Sequence, residues 1–331
     1  MIGLFFMNHH QIFNIETNEH FAEIALKIFS HQYNNNTVYQ AFCNHLDKTP
    51  KKIVSFEEIP FLPIQFFKTH KILSKGEHAT TIFTSSGTTG SNTSKHYVSN
   101  LEIYQKSYNR GFEHFYGTVS NYCILALLPS YLEREGSSLI YMVNDFIKQS
   151  KYAESGFYLD ETDKFIENLK KLDEKNIPVL LIGVSFALLD IIESYDLNLK
   201  NVIVMETGGM KGRRKEMIRE ELHQKLKQGF GVNHIHSEYG MTELLSQAYS
   251  KGNGIFSCPP WMKILIRDTE DPLTKLPNGK TGGVNVIDLA NINSCSFIAT
   301  QDLGKKTREN EFEIIGRFDN SDIRGCNLMV I

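Results

Sequence analysis

The stretch TSSGTTGSNTSK, from Thr84 to Lys95, is dense in groups that can contact an oxyanion. Five Ser or Thr residues and two glycines fall between Thr84 and Gly90, directly after residues 80–83, whose β-branched and aromatic side chains predict a strand. A loop of this composition can direct several N–H groups and hydroxyls toward one point, which suits phosphate binding. The pattern predicts a phosphate-binding loop, with a polar surface turn as the alternative.

This loop differs from two common phosphate-binding motifs. A Walker A motif needs Gly-Lys five residues after its first glycine, and neither Gly87 nor Gly90 has that pair at that offset. The Rossmann pattern GxGxxG is also absent from the stretch. The loop alone therefore does not identify a nucleotide site.

Strand and helix patterns around the loop predict how it is positioned. Buried strands are predicted at 122–128, 179–184 and 201–205, and helices at 100–115, 161–173 and about 212–228. Ser185 is predicted to cap the helix after the second strand. Alternation of apolar strands with helices indicates a largely parallel α/β sheet, whose ligands bind beyond the carboxyl ends of the strands.

Local sequence patterns also predict the structure of two segments that precede the loop. Residues 17–47 predict two amphipathic helices separated by Asn34-Asn35-Asn36. In residues 59–73, Pro60 and Pro63 exclude a regular helix, and the aromatic side chains are predicted to lie in the core, or alternatively to line an apolar substrate slot.

Composition excludes several classes of protein. The 331 residues are 41% apolar with a formal net charge of −3, which is enough for a full core and argues against a general nucleic-acid binder. The five cysteines show no CxxC spacing, which favours free thiols in a reducing compartment. No signal peptide and no membrane span are predicted, so we expect a cytoplasmic protein.

Four more stretches combine glycine with polar or charged residues: ETGGMKG at 206–212, SEYGMTE at 237–243, TQDLG at 300–304 and GRFD at 316–319. With the loop, their order over residues 80–325 resembles the adenylate-forming superfamily, which carries TSGTTGxPK, a GG turn, YGxTE, TGD and GRxD. The chain most resembles one branch, the acyl-protein synthetases of bacterial bioluminescence fatty-acid reductase complexes, with phenylacetate-CoA ligases next. The stretches that carry this resemblance are IPFLPIQFFKTHKIL, SSGTTGS, LLPSYLEREGSSLIYM, YGMTELLSQAYS and RGCNL.

The resemblance implies an α/β adenylate-forming large domain, with mostly parallel sheets flanked by helices and a smaller β-rich subdomain. It also implies ATP and Mg²⁺ as cofactors, because a carboxylic acid is activated by attack on the α-phosphate of ATP and the phosphoryl charge must be offset. By resemblance, the β- and γ-phosphates contact Thr84, Ser85, Ser86, Gly87, Thr88, Thr89, Gly90 and Lys95.

Other nucleotide contacts are implied in the same way. Thr242 would contact the α-phosphate, and Glu243 would hold Mg²⁺ through a hard carboxylate oxygen. Asp302 would accept hydrogen bonds from the ribose hydroxyls, and Arg317 would lie near the same sugar and phosphate. A turn aspartate and a surface ion pair are the alternatives for these two residues. Gly208, Gly209 and Tyr239 would flank the adenine, and Gly240 would also belong to the nucleotide site.

Three features depart from the superfamily pattern. The Pro-Lys of the loop is missing, so that Lys95 is the nearest lysine, and TGD reads TQD. The chain ends 12 residues after Asp319, the position that resembles the hinge residue, whereas typical members continue into a lid domain with a catalytic lysine. We therefore expect the C-terminal lid domain to be absent.

Cys326 lies close to the C-terminus. In the acyl-protein synthetases, a cysteine at such a position takes the acyl group from acyl-AMP as a thioester and passes it to a partner reductase. A thiolate is a strong nucleophile and a thioester stays reactive, and Arg317 and Arg324 would lower the thiol pKa. The alternative is an ordinary buried thiol.

Four segments are predicted: a helical N-terminal segment at 1–78 packed on the core, an adenylation core at 79–253, a β-rich subdomain at 254–318, and a tail at 319–331 with Cys326. The leading interpretation is an ATP-dependent acid–thiol ligase that makes an acyl-adenylate from a long-chain fatty acid and passes the acyl group through Cys326 to a partner protein, such as an acyl reductase. Alternatives are an acyl- or aryl-CoA ligase and a non-catalytic nucleotide-binding subunit of an acyl-transfer complex. Neither nucleic acid nor stable membrane insertion is expected.

Overall fold

The computed structural model describes residues 9–85, 93–129, 136–208, 214 and 217–317. Within these residues the helices are α1 His9–Ile12, α2 Asn18–Asn35, α3 Thr37–His45, α4 Phe66–Thr69, α5 Leu101–Tyr116, α6 Ser138–Gln149, α7 Thr162–Glu174, α8 Ser185–Ser194 and α9 Arg219–Phe230. The strands are β1 Leu62–Pro63, β2 Thr81–Thr84, β3 Lys95–Val98, β4 Cys123–Leu127, β5 Gly156–Phe157, β6 Val179–Gly183, β7 Val202–Thr207, β8 His236–Tyr239, β9 Ala248–Ser250, β10 Ile255–Ser257, β11 Met262–Arg267, β12 Thr281–Asp288, β13 Phe297–Arg308 and β14 Glu311–Arg317.

A sheet of 12 strands runs through the molecule in the order β11-β12-β13-β14-β10-β9-β8-β7-β6-β4-β5, with β1 paired to β13. The half from β8 to β5 is parallel, and the pairs from β8 to β11 are antiparallel. Strands β4 and β6 are buried along their whole length, as expected for parallel strands covered on both faces. The predicted α/β class, with helices flanking a central sheet, is confirmed.

The antiparallel half is continuous with the parallel half. Strand β10 pairs with β9 on one side and with β14 on the other, so that strands on both sides of residue 254 belong to one sheet. This continuity matters for the site, because it brings residues near 302 and 317 beside the end of β8.

The N-terminal helices support the segment that follows β12. Asn36 ends α2 and caps α3, where its side chain accepts from Val38 N and Tyr39 N at 3.1 Å each. Its amide nitrogen donates to the Ser294 carbonyl at 3.0 Å, and Gln32 donates to the carbonyls of Asn291 and Ile292 at 3.0 Å. These buried bonds fix residues 291–294 in place.

Two local predictions were wrong. Ser185 is the first residue of α8 rather than its cap, because its hydroxyl instead donates to the Gly208 carbonyl at 2.7 Å. The charged helix α9 begins at Arg219, since Met217 and Ile218 are not helical. The charge pattern and the periodicity of a sequence do not predict that a serine hydroxyl makes a hydrogen bond to a distant residue instead of capping its helix.

Residues 59–73 lie against the antiparallel half of the sheet. The helix in this segment, α4, is four residues long. Leu62 and Phe67 are buried, which agrees with the core interpretation. Strand β1 pairs with β13, and the amide of Ile64 donates to the Ala299 carbonyl at 2.9 Å. Among the described residues, every helix is too short or too polar to cross a membrane.

Candidate nucleotide and acyl site

The centre of the candidate site is the turn that follows β8, at the carboxyl end of the parallel half of the sheet. Tyr239 ends the strand, and Gly240, Thr242 and Glu243 follow within four residues, with the amide of Leu244 donating to the Met241 carbonyl at 3.1 Å. Ligands of parallel α/β sheets bind at this edge. The turn therefore lies where the motif order predicts a nucleotide.

A carboxylate from the antiparallel half lies beside the end of β8. Tyr239 donates from its hydroxyl to Asp302 Oδ2 at 2.8 Å, and Arg317 Nε lies 3.2 Å from Asp302 Oδ1. Asp302 and Arg317 are cross-strand partners on β13 and β14. The carboxylate side chain is 9% exposed and the guanidinium side chain 75%, so the buried anion is fixed in direction while the cation reaches into solvent.

The second carboxylate of the site is Glu243, which is 5% exposed. Burial raises the pKa of its carboxyl, and a hydrogen bond from the Ser94 hydroxyl and the charges of Arg317 and Lys68 only partly oppose this rise. Lys68 lies on α4, where the neighbouring Phe67 packs edge-on against the His96 ring at 5.7 Å. The buried carboxylate thus has two cations in its surroundings.

Three side chains hold the backbone of this turn from behind. His96 Nδ1 donates to the Thr242 carbonyl at 2.8 Å, and the Asn291 amide donates to the Glu243 carbonyl at 2.7 Å. The buried Asp288 carboxylate accepts from Leu245 N at 2.7 Å and from Ser246 N at 3.0 Å. A turn held at three points is preorganised for binding, since its groups need not be reordered by the ligand.

The predicted phosphate loop is framed by a hairpin. Strands β2 and β3 pair with Thr84 opposite Lys95, and Ser85 and Ser94 exchange hydrogen bonds at 3.1 and 3.0 Å. The amide of Thr84 donates to the carbonyl of Gly136 at 2.8 Å. Gly136 has a φ of +80°, and a Cβ there would lie 3.0 Å from the Thr84 hydroxyl, so a larger residue would disturb the loop entry.

A buried polar network lies behind Gly208, at the end of β7. Glu206 Oε1 accepts from Ser237 at 2.9 Å and from Arg219 at 3.0 Å, and His223 Nε2 lies 3.5 Å away. Burial would raise the pKa of Glu206, but the His223 and Arg219 partners outweigh it and lower the pKa. Gly208 itself has a φ of +68°, which suits a residue without a side chain.

The structure brings several predicted residues together and leaves others undescribed. Tyr239, Asp302 and Arg317 form one hydrogen-bonded group, and Glu243 lies near Arg317 and Ser94. Thr84, Ser85 and Lys95 lie on the hairpin, with Lys95 exposed. The predicted residues that lie outside the described part are Ser86, Gly87, Thr88, Thr89, Gly90, Gly209 and Cys326.

Comparison with a family model decides the family. The model described as "Acyl-protein synthetase, LuxE" matches residues 10–331. The chain belongs to this family. No curated protein sequence matches the chain at a significant level.

Solved structures of adenylate-forming enzymes share the fold of this LuxE-family chain. An open conformation of 2-hydroxyisobutyryl-CoA ligase, in complex with 2-HIB-AMP and CoA, matches with a TM-score of 0.68 and 10% identity, over 92% of this chain and 70% of that one. ATP-bound MatB from Rhodopseudomonas palustris matches with a TM-score of 0.53 and 17% identity, over 71% of this chain and 47% of that one. The LuxE-family chain therefore spans about half the length of the MatB structure.

Motif reasoning missed the side chains that support the site of this LuxE-family chain. His96, Asp288 and Asn291 hold the turn, yet none lies in a motif, and a single His, Asp or Asn in a sequence carries no local signal of a distant partner. Lys68 does lie in the stretch IPFLPIQFFKTHKIL, but its apolar neighbours directed the interpretation toward the core. The positive charge of Lys68 among these apolar residues is the signal in the sequence that could have indicated an anion-binding site.

His96 predicts how stability depends on pH. Burial lowers the pKa of His96 to about 4 from the ordinary 6.5, although the Thr242 carbonyl and the Asn291 side-chain oxygen beside its two ring nitrogens favour the protonated form and oppose the shift. The unfolded chain therefore binds a proton between pH 6.5 and 4 that the folded chain does not, so the free energy of unfolding falls as the pH is lowered through this window. Between pH 7 and 4.5 we expect the free energy of unfolding of the wild type to fall by about 2 to 3 kcal/mol more than that of His96→Gln.

Urea denaturation of both proteins at the two pH values measures this difference. His236, whose pKa burial also lowers to about 4, titrates equally in both proteins and cancels from the comparison. An equal pH dependence in the wild type and His96→Gln would contradict the assignment of a neutral buried imidazole.

Proposed function

We propose that this chain activates a carboxylic acid as an acyl-adenylate with ATP and then transfers the acyl group to Cys326. The observation that carries the proposal is the juxtaposition of a fixed Asp302 carboxylate and the buried Glu243 carboxylate at the two ends of one preorganised turn, beside the β2–β3 hairpin. Family membership and the shared fold of adenylate-forming enzymes support it.

Asp302 is suited to bind the ribose. A carboxylate has about four lone-pair positions, and the Tyr239 hydroxyl and Arg317 occupy one on each oxygen of Asp302. The remaining positions can accept two sugar hydroxyls. Burial and the nearby Asp302 charge raise the pKa of Tyr239 well above its ordinary value, so that its hydroxyl stays protonated and keeps donating.

Glu243 and its neighbours are suited to the phosphates. In the described residues, no group of three or more His, Cys, Asp or Glu side chains is arranged to hold a metal ion. Mg²⁺ bound with a nucleotide needs only one or two protein carboxylates, because phosphates and water complete its shell. Glu243 fits this role, since a buried carboxylate whose pKa is raised gains from an adjacent cation. When bound, the ion would offset phosphoryl charge.

In the first step, an oxygen of the substrate carboxylate forms a bond to the α-phosphorus of ATP while the bond to the bridging oxygen of pyrophosphate breaks. We assign to Thr242 the contact with the α-phosphate. We assign to Lys68, Lys95 and Arg317 the neutralisation of the negative charge on the phosphates. A turn held by His96, Asn291 and Asp288 keeps Thr242 and Glu243 in place during the transfer.

In the second step, the thiolate of Cys326 attacks the acyl carbonyl carbon and AMP leaves, which gives a thioester for transfer to an acceptor protein. The other cysteines are poorly suited to this role. Burial raises the thiol pKa of Cys43 and Cys258 to about 12 and of Cys123 to about 11, and it also raises that of Cys295. Thiols that stay protonated at neutral pH are weak nucleophiles.

The test is incubation of the purified chain with Mg²⁺, labelled pyrophosphate, ATP and a panel of carboxylic acids that includes long-chain fatty acids, in parallel reactions with and without CoA. Acid-dependent exchange of label into ATP, together with hydroxylamine-labile acyl groups on the protein, supports the proposal. Exchange with acyl-CoA formation and no protein label would instead favour a CoA ligase. Nucleotide binding without exchange for any acid would overturn the ligase proposal in favour of a nucleotide-binding subunit.

A further inference from the structure

Strand β8 presents polar side chains on both of its faces. Because successive side chains on a strand alternate, Tyr239 points toward Asp302 while Glu238 and Gly240 point to the opposite face. That opposite face is covered by α5, since the Tyr249 ring lies 5.4 Å from Phe115 and 6.3 Å from Phe112. Gly240 begins the turn to which the proposed function assigns the phosphates, so the α5-facing side chains around it lie beside the proposed adenylate site.

Four polar side chains meet on the α5-facing side. Thr207 lies beside Glu238 in the β7–β8 register and donates to Glu238 Oε2 at 2.6 Å, and Tyr249 lies opposite Glu238 in the β8–β9 register. A Cβ on Gly240 would lie 2.4 Å from Glu238 Oε1 and 3.3 Å from Gln247 Cγ. Glu238 and Gln247 therefore converge directly over the glycine that begins the turn.

Two buried atoms in this cluster lack hydrogen-bond partners. Gln247 and Tyr249 are 6% and 2% exposed. Among the described residues, none hydrogen-bonds to Gln247 Oε1 or to the Tyr249 hydroxyl, and Ser74 Oγ and Arg219 Nε are the other such buried side-chain atoms. Buried polar groups in folded proteins are nearly always paired, so two unpaired atoms beside the proposed adenylate site indicate a ligand group that pairs with them.

Resting on the proposed function, we infer that the carboxylic acid carries a hydroxyl or amino group near its carboxyl, and that Glu238, Gln247 and Tyr249 bind this group. Gln247 Oε1 can only accept a hydrogen bond, so its ligand must be a donor. A plain alkyl chain supplies no donor and would leave these atoms unpaired. The chemistry shared by the two candidate groups is an O–H or N–H donor a few bonds from the reacting carboxyl.

The protonation of Glu238 is compatible with this role. Burial, together with the charge of Glu206, raises the pKa of Glu238 to about 7, although the Thr207 hydrogen bond opposes the rise. Both the ionised and the neutral form of the Glu238 carboxyl are therefore present at neutral pH. Because Oε2 accepts the hydrogen bond from Thr207, Oε1 is the oxygen that can bind the ligand group. The ionised form accepts from a hydroxyl or amino group, and the neutral form also donates to a hydroxyl.

The experiment compares acids of equal chain length in ATP–pyrophosphate exchange: unsubstituted, 2-hydroxy, 3-hydroxy, 2-amino and 3-amino. In the wild type we expect one substituted acid to exceed its unsubstituted match in kcat/KM by about 100-fold or more, because a site built to bind a donor rejects the analogue without it. The hydroxy and amino arms identify which donor is bound.

Variants then locate the contact. Gln247→Leu and Tyr249→Phe each remove one unpaired polar atom, and we expect each to lower the ratio of kcat/KM for the substituted acid to kcat/KM for its unsubstituted match by about tenfold. A purely structural role would lower activity toward all acids alike. Tyr195→Phe is the matched control, because that hydroxyl donates to Asp163 at 3.2 Å, outside this cluster.

The outcomes separate this inference from the proposed function. The inference is overturned if unsubstituted acids support exchange with the same kcat/KM as substituted acids, or if neither variant changes the preference. Acyl-adenylate formation, and with it the first step of the proposed function, would still stand in both cases. Absence of exchange with every acid overturns the proposed function and this inference with it. A selective preference that both variants reduce supports both.

Discussion

Glu243→Gln is expected to lower acid-dependent ATP–pyrophosphate exchange by about 100-fold or more, since the change removes the charge that we assign to the metal at the phosphates. The side chain keeps its size, and its hydrogen bond with Ser94 can be retained. Burial already disfavours the ionised form of Glu243, so the neutral amide should leave the free energy of unfolding unchanged or higher. Loss of activity would therefore not result from unfolding.

The measurement is initial-rate exchange across a range of Mg²⁺ concentrations, with urea denaturation of the same preparations. Glu161→Gln is the matched control, because Glu161 is an exposed carboxylate paired with Lys164. A Glu243→Gln protein that exchanges within about threefold of the wild type at every Mg²⁺ concentration would remove Glu243 from the metal role.

The second prediction concerns the acyl acceptor. Cys326→Ser is expected to abolish the hydroxylamine-labile acyl group on the protein, while ATP–pyrophosphate exchange stays within about twofold of the wild type. The two steps respond differently because the thiolate acts only after acyl-AMP has formed. A serine hydroxyl is far less acidic than a thiol and would not replace it.

Labelled acid, ATP and Mg²⁺, followed by gel separation with and without neutral hydroxylamine, measures the acyl-protein. Cys258→Ser is the control, because Cys258 is the one partly exposed cysteine in the described residues and burial raises its thiol pKa to about 12. Label that persists on Cys326→Ser and disappears from Cys258→Ser would move the acyl acceptor to Cys258.

The N-terminal helices have a role in the site that their own sequence does not indicate. Gln32 and Asn36 hold residues 291–294, Asn291 holds the carbonyl of Glu243, and Asp288 holds the amides that follow it. The N-terminal helices thus support, through Asn291, the turn that we assign to the phosphates. Gln32 and Asn291 are 259 residues apart in the sequence. Helical periodicity predicted these helices but not what they support.

The sequence by itself determined the elements and the order of the motifs. Strands buried on both faces, helices with apolar stripes and the hydroxyl-rich stretch are local patterns, and local patterns depend on residues a few positions apart. The turn after β8 and the strand that leads into the hydroxyl-rich loop follow from such patterns, whereas the pairing of that strand with β3 does not. Their shared order with a known superfamily was also visible without coordinates.

Only the tertiary structure decided which side chains meet. Tyr239 and Asp302 are 63 residues apart, and His96 and Thr242 are 146 apart, so no periodicity connects them. Neither pair joins neighbouring strands, so the folding of the whole sheet and of the separate β2–β3 pair brings these side chains together. Sheet register then decides the face that a strand residue takes, because a shift of one residue would turn its side chain to the other face. The same register places Glu238 and Tyr249 together on the face away from Asp302, and so separates the side that we assign to the nucleotide from the side that we assign to the acid.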